Sequence, residues 1–165
     1  MINVIIIAAA VLIDQLTKYL AVEHIRGQTV SVVPGLFSFE YTTNKGMAWG
    51  LLSDRRWIFI ALSIIALAFF GYIYFRAKRP HFLFRLSLGL VLGGGAGNMI
   101  DRLFRRGGVV DFIKTDFISF PIFNAADSFI TVGAVLLGIY LIFIDHKMET
   151  PVFLTKKPLA HTDGS

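Results

Sequence analysis

Residues 57–75 read WIFIALSIIALAFFGYIYF, an apolar run without one charged side chain. A helix rises about 1.5 Å per residue, so about 20 such residues cross the roughly 30 Å of hydrocarbon in a bilayer. Working outward, three more runs approach that length: 2–21, 82–101 and 125–144. The whole chain agrees with them, with 55% hydrophobic and only 16% charged residues over 165 positions and a mean hydropathy of +0.67. A soluble domain of this length carries more charge. The expected fold class is an all-α membrane protein, four transmembrane helices with a small extracytoplasmic β-element. One four-span domain covers 1–146, and residues 147–165 form a polar, disordered cytoplasmic tail.

Ala8, Ala9 and Ala10 in the first run resemble the cleavage site of a secretory leader. No Lys or Arg precedes the run, however, and the helical pattern continues through Asp14 to Ala21, which suits a retained first span. With no cysteine, thiol catalysis, disulfides and Cys-based zinc sites are excluded. His24, His81, His146 and His161 are scattered without metal-ligand spacing, so neither a metal nor a cofactor is expected. The net charge of +5 invites a nucleic-acid reading. Yet Arg76, Lys78, Arg79, Arg85, Lys156 and Lys157 flank spans, where they serve as topology signals and contacts to anionic membrane lipids.

Four spans put both termini on one side. The connector 76–85 holds four basic residues and no acid, which makes that side cytoplasmic. The full count discriminates less, because seven basic residues fall on this side and eight on the other: Arg26, Lys45, Arg55, Arg56, Arg102, Arg105, Arg106 and Lys114. The two connectors on that other side, 22–56 and 102–124, are long and hold most of the polar chemistry. In the first, Val30, Val32, Phe37, Phe39 and Tyr41 alternate around Pro34-Gly35, the pattern of a hairpin. Phe117-Ile-Ser-Phe-Pro121 reads as a further strand.

A charge at the centre of a span costs roughly 2.5–3.5 kcal/mol, so polar residues there need a reason. Asp14 and Lys18 lie four apart on one helix face. They form either an interior-facing pair that snorkels outward and sets the helix rotation, or part of a substrate site. Gly89, Gly93 and Gly97 recur every four residues, which suits close helix packing in lipid. A phosphate loop would need a following Lys-Ser or Lys-Thr, and none follows. Asn98, Asp101 and Arg102 then share one stripe, either as a network capping the helix or with Arg102 presented to a phosphate or carboxylate at headgroup level.

Asp111 is an acid embedded in apolar residues, Val109-Val-Asp-Phe-Ile113. Asp127 opens the last span, with Asn124 as a cap three residues earlier. The two acids bracket one connector at one face of the membrane, and about sixteen residues suffice to fold them together. Paired carboxylates in a low-dielectric setting share a proton. One then takes a proton from attacking water while the other protonates the carbonyl oxygen. Either Asp fits either role.

These motifs carry a family resemblance. Asp14-Gln-Leu-Thr-Lys18, Asn44-Lys-Gly-Met-Ala-Trp-Gly50, Gly94-Gly-Ala-Gly-Asn-Met-Ile-Asp-Arg102, Val109-Val-Asp-Phe112 and Phe123-Asn-Ala-Ala-Asp127 occur in the order and spacing of bacterial lipoprotein signal peptidase, signal peptidase II. Trp49 stands where many members have Phe. The resemblance implies an aspartic endopeptidase of the bacterial cytoplasmic (inner) membrane, with both termini cytoplasmic and the active site near the extracytoplasmic face. Its substrates would be prolipoproteins, cut before a cysteine that carries diacylglycerol. It implies Asp111 and Asp127 as catalytic residues, with Asn44, Gly46, Asn98, Arg102 and Asn124 at the substrate site. Asp14, Lys18 and Asp101 are supporting residues. It further implies inhibition by globomycin-type cyclic peptides, and a monomer is expected. Two other classes remain open on the residues alone. A proton-coupled transporter would place acids at the midplane and show an internal repeat, and an assembly subunit would use the glycine face.

Overall fold

The computed structural model describes residues 2–44, 46, 56–77 and 81–145. Lys45, Trp49, Arg55, Lys78, Arg79 and the whole tail expected at 147–165 lie outside the described residues. Among the described residues, four helices are long and apolar enough to cross a membrane: α1 (Ile2–His24), α2 (Arg56–Arg76), α3 (Phe82–Phe104) and α4 (Ala125–Phe143). Their ends fall within three residues of the runs read from the sequence. Ile64, Ile65, Phe69 and Tyr72 of α2, with Val135 and Ile142 of α4, point outward. An apolar exterior of that kind is what lipid, rather than water, requires.

α3 is the centre of the bundle and packs against the other three helices. Its glycines explain how. A Cβ on Gly89 would strike Ile6, one on Gly93 would lie 2.5 Å from Ala10 Cβ, and one on Gly97 would overlap the Asp14 carboxylate. Three glycines four residues apart therefore meet three α1 residues four residues apart, and the two helices run parallel. Gly94 turns toward α4, where a Cβ would strike the Ala126 carbonyl. The glycine run is a helix-packing surface.

Three strands form an antiparallel sheet in the order β1 (Thr29–Val33), β2 (Phe37–Asn44), β3 (Val109–Thr115). The hairpin expected around Pro34-Gly35 is present. Gly35 takes φ +76° and Leu36 N–H donates to the Val33 carbonyl at 2.9 Å, a turn whose third position needs the left-handed freedom of glycine. The third strand differs from the expectation. Residues 117–121 are irregular and the strand is Val109–Thr115. Proline at 121 has no N–H to give a ladder. After β3 the chain turns, with Asp116 N–H bonding the Leu36 carbonyl, and returns to bridge Phe123 to Ile113. Phe117 and Phe120 instead pack edge-on against Phe37 and Phe123. The sheet thus sits at the end of the bundle where α1 and α3 finish and α4 begins.

Candidate active site

β3 brings Asp111 to the sheet end of the bundle, in register with Thr42 of β2. Val109, Val110, Asp111 and Phe112 are all buried, so the carboxyl enters the interior on a strand covered on both faces. Asp127 arrives from another direction, as the third residue of α4. There a capping box joins it to Asn124: Asp127 N–H donates to Asn124 Oδ1 at 2.9 Å, and Asn124 N–H donates to Asp127 Oδ2 at 3.2 Å. The box satisfies two of the orphan donors at a helix start and fixes both side chains.

Asn124 also connects the acids. Its Nδ2, fully buried, donates to Asp111 Oδ1 at 2.6 Å, with Asn98 Oδ1 at 3.1 Å and the Val110 carbonyl at 3.2 Å as further acceptors. Asn98 on α3 donates its own Nδ2 to Asp127 Oδ1 at 2.8 Å. Two amides from two helices thus hold two carboxyls. Asn44, the last residue of β2, adds a side-chain hydrogen bond to Asp111 and accepts Gly46 N–H at 2.9 Å. Burial above all, and then the neighbouring charge of Asp127, pushes the Asp111 carboxyl from 3.8 up to about 7. The hydrogen bonds from Asn124 and Asn44 oppose that shift but do not cancel it. A carboxyl that titrates near neutrality is suited to proton transfer.

Beneath this pair lies a second tier. Lys18 is 0% exposed. The outward snorkelling considered from the sequence does not occur, because the ammonium has partners inside: Asp14 at 2.9 Å, Asp101 at 3.1 Å and Asn98 Oδ1 at 2.9 Å. Three N–H donors meet three acceptors. Asp14 uses its other oxygen to accept Ala126 N–H at 3.0 Å, tying α1 to the start of α4. Asp101 accepts Val110 N–H at 3.1 Å and Arg105 Nε at 3.0 Å, tying α3 to β3. Gln15, not among the site residues expected from the sequence, donates to Asp14 Oδ2, Asp101 Oδ1 and the Gly97 carbonyl. Its signal was there to find, as a polar residue within an apolar span beside an acid.

Both acids line one cavity of about 820 Å3, together with Asn44, Gly46, Arg102 and an apolar wall that includes Phe59, Leu62, Phe120, Phe123 and Val132. Apart from Phe123, which opens one of the quoted motifs, the wall residues carry nothing that would have marked them in the sequence. Arg102 donates Nη1 to the Asn98 carbonyl at 3.3 Å and lies over the Phe59 ring at 5.9 Å. Arg56 of α2 caps the end of α3, donating to the carbonyls of Arg102 and Leu103. The ten sequence-derived site residues therefore divide. Asp111, Asp127, Asn44, Gly46 and Arg102 face the cavity, Asn98 and Asn124 hold the acids, and Asp14, Lys18 and Asp101 stand behind them.

Comparison with known proteins gives one consistent result. Residues 6–143 match the family described as signal peptidase (SPase) II. The chain is 45% identical over 138 residues to a lipoprotein signal peptidase of Lactobacillus johnsonii, covering 83% of this chain and 89% of that one. It is 39% identical over 151 residues to one of Symbiobacterium thermophilum, covering 89% and 98%. A solved bacterial membrane enzyme superposes with a TM-score of 0.78 at 34% identity, covering 90% of this chain and 92% of that one.

Proposed function

The chain belongs to the signal peptidase II family, and we infer that it is a bacterial membrane-embedded aspartic endopeptidase that removes signal peptides from prolipoproteins, with Asp111 and Asp127 as its catalytic pair. The observation that carries the residue assignment is the shared cavity: two carboxyls from different elements reach one apolar chamber, bridged by the amides of Asn124 and Asn98.

The chemistry follows from one shared proton. The ionised carboxylate takes a proton from water as the water oxygen bonds to the scissile carbonyl carbon. The protonated partner gives its proton to the carbonyl oxygen, which leaves a neutral tetrahedral diol. Collapse breaks the C–N bond. The first carboxyl returns its proton to the leaving nitrogen, the second recovers one from the diol hydroxyl, and a carboxylic acid and an amine depart. Asn124 and Asn98 keep the two carboxyls in place throughout, and Asn44 and Gly46 stand at the rim to orient the peptide. Arg102 offers a fixed positive charge beside the reacting oxygens.

The substrate is a prolipoprotein whose cysteine already carries diacylglycerol, cut just before that cysteine. The apolar wall between α2 and α4 fits acyl chains, and the acids at the mouth fit a bond held at headgroup height. The sheet end faces the extracytoplasmic side and both termini are cytoplasmic, in keeping with the basic connector 76–85. The enzyme works as a monomer among membrane lipids, and a globomycin-type cyclic peptide fits the same chamber. The test compares one prolipoprotein with and without its diacylglyceryl group, incubated with purified enzyme in detergent. Cleavage before the cysteine should require the lipid, and equal cleavage of both forms would remove the acyl role from the cavity.

A further inference from the structure

The buried ammonium of Lys18 touches neither the cavity nor either acid of the pair, yet it is placed to act on one of them. It donates to Asn98 Oδ1 at 2.9 Å. An amide whose oxygen faces an ammonium has only its NH2 left to turn elsewhere, and here the NH2 meets Asp127 Oδ1 at 2.8 Å. If the amide rotated by half a turn, it would set NH2 against ammonium and oxygen against carboxylate. Both contacts would then be repulsive, so Lys18 fixes the orientation. Donation by a charged group also polarises the amide and strengthens the hydrogen bond that the same amide gives.

We propose that Lys18 is a positioning residue that acts through Asn98 to hold Asp127 as the ionised member of the pair, the one that takes the proton from water, and leaves Asp111 as the proton donor. This rests on the catalytic pair assigned above.

The surroundings of the two acids agree. Asp127 accepts two N–H donors, Asn98 Nδ2 and Asn124 N–H, at the start of a helix, where the backbone dipoles favour negative charge. Asp111 is 2% exposed on a strand rather than within the first turn of a helix, and burial raises it to about 7, so that it still carries a proton near neutral pH. The charged groups facing the pair are Lys18 and Asp14 on α1, Asp101 and Arg102 on α3, and the two acids themselves. Arg56 on α2 is committed to α3 carbonyls. Asp14 and Asp101 offset the Lys18 charge, which reaches Asp111 only through space, whereas the Asn98 amide that accepts Lys18 and Asn124 Nδ2 on its oxygen gives its NH2 to Asp127.

Lys18→Met by itself would leave Asp14 buried without an opposite charge, with Asp101 keeping only Arg105, and endanger folding. The informative variant neutralises the whole cluster, combining Lys18→Met with Asp14→Asn and Asp101→Asn, which keeps an acceptor oxygen at both acid positions. It is compared with Asp14→Asn/Asp101→Asn, which retains the ammonium. Both are purified in detergent, checked for cooperative thermal unfolding, and assayed for cleavage of a lipid-modified prolipoprotein across pH. Asp111→Asn and Asp127→Asn run alongside, so that survival of activity in either exposes a failure of the pair itself rather than of Lys18. The triple variant should keep its KM, lose about tenfold or more in kcat, and shift the acid limb of its pH profile upward by about one unit relative to the double variant. The alkaline limb, set by Asp111 and reached by the Lys18 charge only through space, should move less. An unmoved acid limb, or a shift of the alkaline limb instead, would overturn the proposal. A purely structural role lowers the amount of active enzyme without moving either limb.

Discussion

The two ends of the same helix bundle are built on opposite principles. At the sheet end, Asp14, Lys18, Asn98, Asp101, Asp111 and Asn124 are all buried and connected by charge-assisted hydrogen bonds. At the other end the interior is Tyr74, Phe84, Leu88, Leu92 and Tyr140, with Tyr140 Oη donating to Asp145 at 2.9 Å. Apolar packing is the inexpensive way to close a bundle. Breaking a buried ion pair costs about 3–5 kcal/mol, yet replacing such a cluster with well-packed apolar groups is often neutral or stabilising. The polar end therefore reflects function rather than stability, and the aromatic end shows what the helices do where no chemistry is required.

The largest test of that contrast is thermodynamic. Asp111 binds its proton up to about pH 7 when folded, against an ordinary value of 3.8. Folding therefore takes up a proton between those pH values, and stability falls as pH rises through the window. Asp111→Asn removes that term. In detergent its melting temperature should gain on the wild type as pH rises from about 4 to about 7, even as activity disappears. A parallel pH dependence in both proteins would mean that Asp111 is not held neutral by its surroundings.

A smaller effect probes the helix contact that places the polar tier. Gly93→Ala forces a methyl into Ala10 and should cost about 1–3 kcal/mol of stability, as overpacking does, with lower activity at elevated temperature. Smaller still is Tyr140→Phe at the aromatic end. It removes one hydrogen bond, worth about 1 kcal/mol, and should lower the melting temperature slightly while kcat stays unchanged. A large loss of activity there would show that the two ends are coupled.

Much of this was legible in the sequence, for physical reasons that differ from place to place. The spans are long uniform runs, and bilayer thickness leaves few alternatives. Pro34-Gly35 marks its turn because only glycine takes that conformation cheaply. The third strand was misplaced because Phe117-Ile-Ser-Phe-Pro121 has the composition of a strand, whereas the ladder is decided by which segment can offer N–H groups to β2. Asp111 and Asp127 were singled out as a pair from their position. The inward turn of the Lys18 ammonium was not legible, because it depends on Asn98 and Asp101, eighty or more residues away in the chain. Nor was the bridging part of Asn124, which the resemblance places at the substrate site but which by its residues alone reads as an ordinary helix cap until β3 brings Asp111 against it.

The proposed hydrolysis rests on Asp111 and Asp127 acting together. The direct measurement is cleavage of a diacylglyceryl-modified prolipoprotein by purified Asp111→Asn and Asp127→Asn in detergent, each confirmed as folded by cooperative thermal unfolding. Both variants should fall at least about a hundredfold below the wild type, the scale of a lost acid or base. Wild-type cleavage by either folded variant would contradict the account.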